Sequence, residues 1–310
     1  MEKAKEEFLT LVQSINNLDE KKSFLKWVED YSRDSYESNC FHEKEVKFDR
    51  TKADVLLSCI KATLKKKLPF DAVVRSEKIS FPTCGEDANL NATNCVHVDA
   101  FLYEEGEVDK LVDEGKLSNS YCRDCQSKNI ADITFITHSA SKKCLEFIFR
   151  NALPNLKEKT VLDVGSRLGV VLYAAHVYSE AREIIGVEIN KEFCDLQREI
   201  LQKFKLNDRC KLLEGDIKNM PNVVKKADVI ILNNVFEWFL SPVEQTSVWR
   251  FLYKNIKKGC IIVAGPPLPS SLELLDTGID VDKWVEEICF NDLNHEEFIE
   301  EIELKFYTVL

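Results

Sequence analysis

The stretch Thr160-Val-Leu-Asp-Val-Gly-Ser-Arg-Leu-Gly169 constrains this chain more than any other. Its apolar run, Val161 to Val164, carries one acid, Asp163, and ends in a turn bounded by Gly165 and Gly169. Such a run suits a parallel strand covered on both faces, and the glycines let the backbone turn tightly into a helix. A second apolar run, Ile184-Ile-Gly-Val-Glu188, ends in an acid 25 residues after Asp163. A third candidate strand, Lys211-Leu-Leu-Glu-Gly-Asp216, also ends in an acid. Acids at the carboxyl ends of successive parallel strands line the crevice where a doubly wound sheet holds a nucleoside, the second acid gripping the ribose hydroxyls. The alternative is the same fold with its strand-end acids merely solvated.

The spacing of the glycines narrows the ligand. A dinucleotide site calls for G-x-G-x-x-G, so that backbone amides and a helix N-terminus hold a pyrophosphate. Here the spacing is G-x-x-x-G, which disfavours a nucleotide-binding oxidoreductase. At these residues the chain resembles the class I S-adenosylmethionine-dependent methyltransferases. The resemblance covers residues 136–310 and implies a doubly wound, mostly parallel seven-stranded α/β sheet with helices on both faces. It places Asp163, Gly165, Ser166, Arg167 and Gly169 in the first cofactor-binding motif, Glu188 and Ile189 at the ribose, and Asp216 and Ile217 beside the adenine. S-adenosylmethionine is the cofactor it implies.

The chain has 310 residues, 45% of them hydrophobic, enough to bury a full core. Its formal net charge of −11 argues against a protein that wraps nucleic acid non-specifically, because phosphate neutralisation supplies most of that affinity. Lys61 and Lys65 to Lys67 form a candidate basic patch or a solvated helix face. No apolar run reaches membrane-spanning length and the N-terminus is charged, so the expectation is a chain of the cytoplasm or nucleus, without a membrane partner. Eleven cysteines in such a setting suggest reduced thiols and metal ligands before a disulfide framework.

Three parts are expected. Residues 1–75 read as helical, from apolar repeats such as Phe8, Leu9, Val12 and Ile15, and later Val55, Leu56, Ile60 and Leu64; they suit a cap or a docking site for a protein partner. Residues 76–135 gather Cys84, Cys95, His97, Cys122 and Cys125. Cys122-Arg-Asp-Cys125 is a knuckle that points two thiolates at one ion, and the others offer the remaining ligands of a structural zinc. A redox pair and unrelated core thiols are the competing readings. Residues 136–310 form the cofactor-binding domain, which opens with Phe135-Ile-Thr-His-Ser-Ala-Ser141.

The acceptor side is legible in two places. His138 is a candidate general base, its reference pKa lying near neutrality, and Ser139 a candidate cofactor contact; a structural histidine and a helix-capping serine are the plainer alternatives. The run Asp228-Val-Ile-Ile-Leu-Asn-Asn-Val-Phe-Glu-Trp-Phe239 reads as a strand with Asn233 and Asn234 at its carboxyl end. Two amides there would orient an amine, and Phe236, Trp238 and Phe239 would wall a channel or pack in the core. Asn233-Asn-Val-Phe236 is similar to an element of the non-SET histone lysine methyltransferases, which implies a nitrogen of a protein side chain as methyl acceptor, with Asn233 also against the cofactor. An RNA or small-molecule acceptor, and an inactive cofactor-binding subunit, stand as alternatives. The sheet is expected to finish with a helix over 248–259, a strand over 260–264, a proline-rich loop, a helix over 281–289 and an alternating final strand over 302–310.

Overall fold

The computed structural model describes residues 41–83, 85–123, 130–289 and 304–310. The helices expected before residue 41, together with Cys84 and Cys125, lie outside the described residues. The chain divides into two units, Met1–Val55 and Leu56–Leu310. In the first, the described residues are the opening turns of helix α1 (Phe41–Lys65). Within the second, α1 buries Leu57, Ile60 and Leu64 on one stripe, at the spacing of a helix with a single apolar face.

Residues 76–135 build two small sheets. Strand β1 (Cys95–His97) is followed by α2 (Glu105–Asp113), β2 (Ser120–Cys122), β3 (Ile130–Asp132) and β4 (Thr134–Ile136). β1 pairs in parallel with β4, and β2 pairs antiparallel with β3. Glu104 and Glu107 close the start of α2 as a capping box, which satisfies amides that the helix itself leaves open. The expected metal module does not assemble among the described residues, where no three His, Cys, Asp or Glu side chains are placed to hold one ion. His97 instead faces a second imidazole, that of His138, at 3.0 Å.

The chain then enters α3 (Lys142–Phe147), capped by Ser141, and the main sheet. Its elements are β5 (Thr160–Val164), α4 (Val170–Tyr178), β6 (Glu183–Glu188), α5 (Lys191–Lys203), β7 (Cys210–Glu214), α6 (Pro221–Lys226), β8 (Val229–Asn233), α7 (Pro242–Asn255), β9 (Ile261–Gly265), α8 (Leu268–Glu273), α9 (Val281–Trp284), β10 (Val285–Glu287) and β11 (Lys305–Val309). The strand order is β10-β11-β9-β8-β5-β6-β7. β5 to β9 are mutually parallel and β11 runs against both of its neighbours. This is the expected seven-stranded, mostly parallel α/β sheet.

Every residue of β5 and β6 is buried, which accounts for their unbroken apolar runs: helices cover both faces of the sheet centre. On one face Leu162, Val164, Ile185, Ile230 and Leu232 meet Trp249 and Leu252 of α7 in a continuous core. Each such side chain contributes about 1.5–3 kcal/mol by leaving water. The order reverses between β5 and β8, the neighbours on either side being reached by β6 and by β9. A doubly wound sheet opens its ligand crevice at such a switch point, outside the carboxyl ends of the strands.

Two expectations at the end of the chain are corrected. The segment 281–289 is not one helix: α9 stops at Trp284, and Val285, Glu286 and Glu287 pair with Val309, Thr308 and Tyr307. Pairing fixes the backbone there because β11 offers a ladder of backbone hydrogen bonds to these three residues, of which Val285 is buried and Glu286 and Glu287 are exposed. Helix α7 also starts six residues earlier than expected, at Pro242, where Ser241 and Glu244 form a capping box.

Candidate active site

The turn after β5 hangs from the end of β6. Gly165 and Ser166 donate their amides to the Val187 carbonyl at 2.8 and 3.0 Å, and Gly169 donates to the Ser166 carbonyl at 2.6 Å. Gly165 and Gly169 have φ of 72° and 77°, backbone that glycine adopts without strain. Gln197 of α5, fully buried, braces the turn from below. It accepts the Ser166 hydroxyl at 3.0 Å and donates to the Arg167 carbonyl at 2.8 Å. The space above Gly165 belongs to Val235, whose Cγ2 would lie 2.4 Å from a β-carbon placed on the glycine.

Asp163 and Glu188 end β5 and β6 as buried acids. Burial raises both, and Asp163, with Glu188 as a second cause, is pushed up to about 8. Glu188 Oε2 accepts the Arg167 amide at 2.8 Å and Oε1 accepts the Asn190 amide at 2.7 Å. A carboxylate has about four acceptor sites. The group is held still by these amides and keeps acceptor capacity for a hydroxyl donor. Beside it Ile189 is 69% exposed, an apolar surface at the mouth of the crevice. Asp216 follows β7, caps the next turn by accepting the Lys218 amide at 2.8 Å, and leaves its side chain partly open; Ile217 is buried behind it. These residues fit a nucleoside with a ribose and an apolar ring, the half of S-adenosylmethionine that the strand-end acids would hold.

The carboxyl end of β8 meets the loop before α3. Asn233 is half-buried and pairs in register with Gly265. Asn234 adopts φ of 49°, donates its amide to the Gly265 carbonyl at 2.6 Å, and reaches the Thr137 carbonyl with Nδ2 at 3.4 Å. Trp238 is the centre of a ring cluster. His97, His138 and Phe81 meet it edge-on at 5.2, 5.5 and 5.7 Å, and Phe239 stands 5.1 Å from His138. Phe236 turns away and packs on Trp249 at 5.3 Å, and Trp238 is buried as well, so of the three expected wall aromatics only Phe239 is partly open.

His138 is 7% exposed and its ring stacks on His97 at 4.9 Å. Burial, with Arg167 and His97 adding to it, lowers its pKa to about 2. It therefore holds no extra proton at neutral pH and is a weak proton acceptor, unlike the near-neutral base that its reference value suggests. Ser139 does not cap α3, a task that falls to Ser141; its hydroxyl donates to Asp99 Oδ2 at 2.6 Å.

Arg167 carries the part of the site that sequence reading missed. Its φ is 42° in the middle of the glycine turn, and its guanidinium leaves the turn altogether. Nε and Nη2 donate to the two oxygens of Glu77 at 2.8 and 3.0 Å, Nη2 also donates to the Ala72 carbonyl at 3.0 Å, and Nη1 to Asp99 at 3.3 Å. Glu77 and Asp99 were legible only indirectly. A buried arginine needs carboxylate partners, but nothing in their spacing marks which acids supply them.

Residues 155–303 match the model of a family described as a methyltransferase domain. Over 100 residues the chain is 35% identical to an uncharacterized RNA methyltransferase of Clostridium tetani, a stretch that covers 32% of this chain and 21% of that protein. The chain thus spans about a fifth of that relative's length. Among solved structures it is similar to an RNA methyltransferase from Salinibacter ruber in complex with S-adenosyl-L-homocysteine, at 15% identity and a TM-score of 0.35, covering 55% of this chain and 90% of that one. It is also similar to an O-methyltransferase from Bacillus cereus, at 13% identity and a TM-score of 0.39, covering 56% and 84%.

Proposed function

We propose that this chain, which carries a class I, Rossmann-like methyltransferase domain, moves the methyl group of S-adenosylmethionine to a nitrogen of a protein side chain. The sheet order, the strand-end acids and the matched domain support S-adenosylmethionine-dependent transfer. Among the described residues no helix is long and apolar enough to cross a membrane. When bound, the cofactor supplies a methyl group activated on a sulfonium. Glu188 would hold its ribose hydroxyls, and Ile189, Asp216 and Ile217 its adenine side. The glycine turn would lie along its centre.

What supports the acceptor reading is Asn233, half-buried at the carboxyl end of β8 and in register with Gly265, where the crevice opens. Asp87 accepts the Trp238 Nε1–H at 3.3 Å, and Glu237 accepts the Ser271 hydroxyl at 2.9 Å. Trp238 is 2% exposed, so its ring cluster packs behind the strand end and does not itself face an acceptor. Arg167, the cation at the turn, is already engaged by two carboxylates and is not offered to a phosphate. At the strand end Asn233 would accept a hydrogen from the neutral amine, its ammonium proton having passed to water, and aim the lone pair at the methyl carbon; the nitrogen–carbon bond forms as the carbon–sulfur bond breaks and S-adenosylhomocysteine leaves, so that catalysis is chiefly alignment. RNA is the second reading, favoured by the similarity to the clostridial RNA methyltransferase.

The test is a labelled-methyl transfer assay on fractionated cell extract, split by protease and by nuclease. Protease should remove the labelled product and nuclease should leave it. Asn233→Ala should lower the rate constant by roughly a hundredfold at saturating cofactor, with S-adenosylhomocysteine affinity nearly intact, because alignment acts in the transition state. Product lost to nuclease alone would replace protein by RNA as the acceptor and leave the cofactor assignment standing.

A further inference from the structure

Residues 74–83 run in irregular backbone past the carboxyl ends of three neighbouring parallel strands, and they are fastened at each. At the end of β6, the Ser76 amide donates to Glu192 at 2.8 Å, and its hydroxyl lies between that carboxylate and Asn190 Oδ1, 3.0 Å away. At the turn after β5, Glu77 takes the Arg167 guanidinium in a two-pronged ion pair, both side chains being more than nine-tenths buried. Beyond β8, the Ser80 amide donates to the Trp238 carbonyl at 2.9 Å, and Phe81 leans on the Trp238 ring.

The middle fastening is built at some cost. Arg167 occupies left-handed backbone that a residue with a side chain rarely adopts. Such a conformation persists where its surroundings over-determine it, and these do: the amide is fixed on Glu188 and the guanidinium on Glu77, Ala72 and Asp99. The residue that orients the ribose acid with its backbone therefore ties down the segment above with its side chain. We propose that residues 74–83 are a strap across the cofactor crevice, that Arg167 is the positioning residue that clasps it, and that cofactor passes in and out when the Glu77–Arg167 pair opens. This rests on the assignment of the crevice to S-adenosylmethionine.

A gate that is closed both before and after binding sets rates, not the equilibrium, since weakening it raises entry and exit together. The experiment follows S-adenosylhomocysteine binding to the full chain by stopped-flow fluorescence, with Glu77→Gln as the variant. Both rate constants should rise by about tenfold or more, since removing one partner of a buried pair strongly favours its opening, while the dissociation constant stays within about threefold. Ser76→Ala, at the neighbouring fastening, should move both rates in the same direction by less. A variant in which dissociation alone quickens and affinity falls would make Glu77 part of the cradle and overturn the gate; unchanged rates would overturn it too.

Hydrogen exchange without ligand keeps the strap separate from the cofactor assignment. Amides of residues 74–83 should exchange faster in Glu77→Gln while those of β5 and β6 keep their protection. Equal exchange in the two proteins sinks the clasp, whatever binds. Folded wild-type chain that binds no S-adenosylhomocysteine sinks the cofactor reading, and the exchange result still decides the clasp.

Discussion

Asp163 makes the stability of this fold depend on pH in a direction opposite to that of a salt-bridged carboxylate. It is 4% exposed at the end of β5, and burial, with the charge of Glu188 second, pushes its pKa from 3.8 up to about 8. Below pH 3.8 the carboxyl is protonated in both folded and unfolded chains and contributes nothing. Between there and about pH 8 the unfolded chain has released its proton and the folded chain retains it. Stability therefore falls as pH rises through that window, by about 1.4 kcal/mol for each pH unit. Asp163→Asn keeps the shape of the protonated carboxyl and removes the titration. Relative to wild type, the variant should be nearly neutral close to pH 4 and gain up to about 4 kcal/mol by pH 7, the gap levelling above pH 8. Urea unfolding of both proteins at unit steps from pH 4 to 9 measures that gap. A gap that does not change with pH would refute the reasoning, because it would mean that Asp163 ionises in the folded chain as readily as in water.

Two further outcomes test the geometry of the crevice. Gly165→Ala should destabilise the chain by about 2–4 kcal/mol in thermal or urea unfolding, from left-handed backbone plus the collision with Val235, and Val235→Ala in the same chain should return the part owed to the collision. Glu188→Gln should weaken S-adenosylhomocysteine by about 1.5–3 kcal/mol in calorimetric titration, because hydroxyl donors lose a charged acceptor; wild-type affinity would end the ribose assignment.

The parts of this protein that could be read before folding are those whose signal is local. The runs at Val161, Ile184 and Val229 are strands because a sheet centre covered on both faces demands unbroken apolar sequence, and the structure buries all three. The misread elements depend on distant partners. Val285 to Glu287 leave the helix because β11, some twenty residues further on, offers a ladder. Helix α7 extends to Pro242 because Ser241 and Glu244 cap it there, ahead of its first buried apolar residue, Val248. The contact of His97 with His138 depends in the same way on the parallel pairing of β1 with β4. No local pattern announces a pairing between strands separated by an intervening helix and hairpin.

Arg167 shows why the strap and the cofactor cradle are separable although one residue serves both. Its three polar groups go to three destinations. The amide goes to Glu188 in β6, the carbonyl to Gln197 in α5, and the guanidinium to Glu77, Ala72 and Asp99. The first two involve only backbone and would persist with any residue that tolerates φ near 42°. They shape the turn and hold the ribose acid. Only the third reaches the segment above. A change at Glu77 therefore leaves those two backbone contacts in place and touches the cradle only through the charge it removes from near Glu188, whereas a change at Arg167 also alters the preference of the backbone for the turn. For that reason the two rate constants in Glu77→Gln, and not the affinity of an Arg167 variant, report whether the segment across the crevice is a gate.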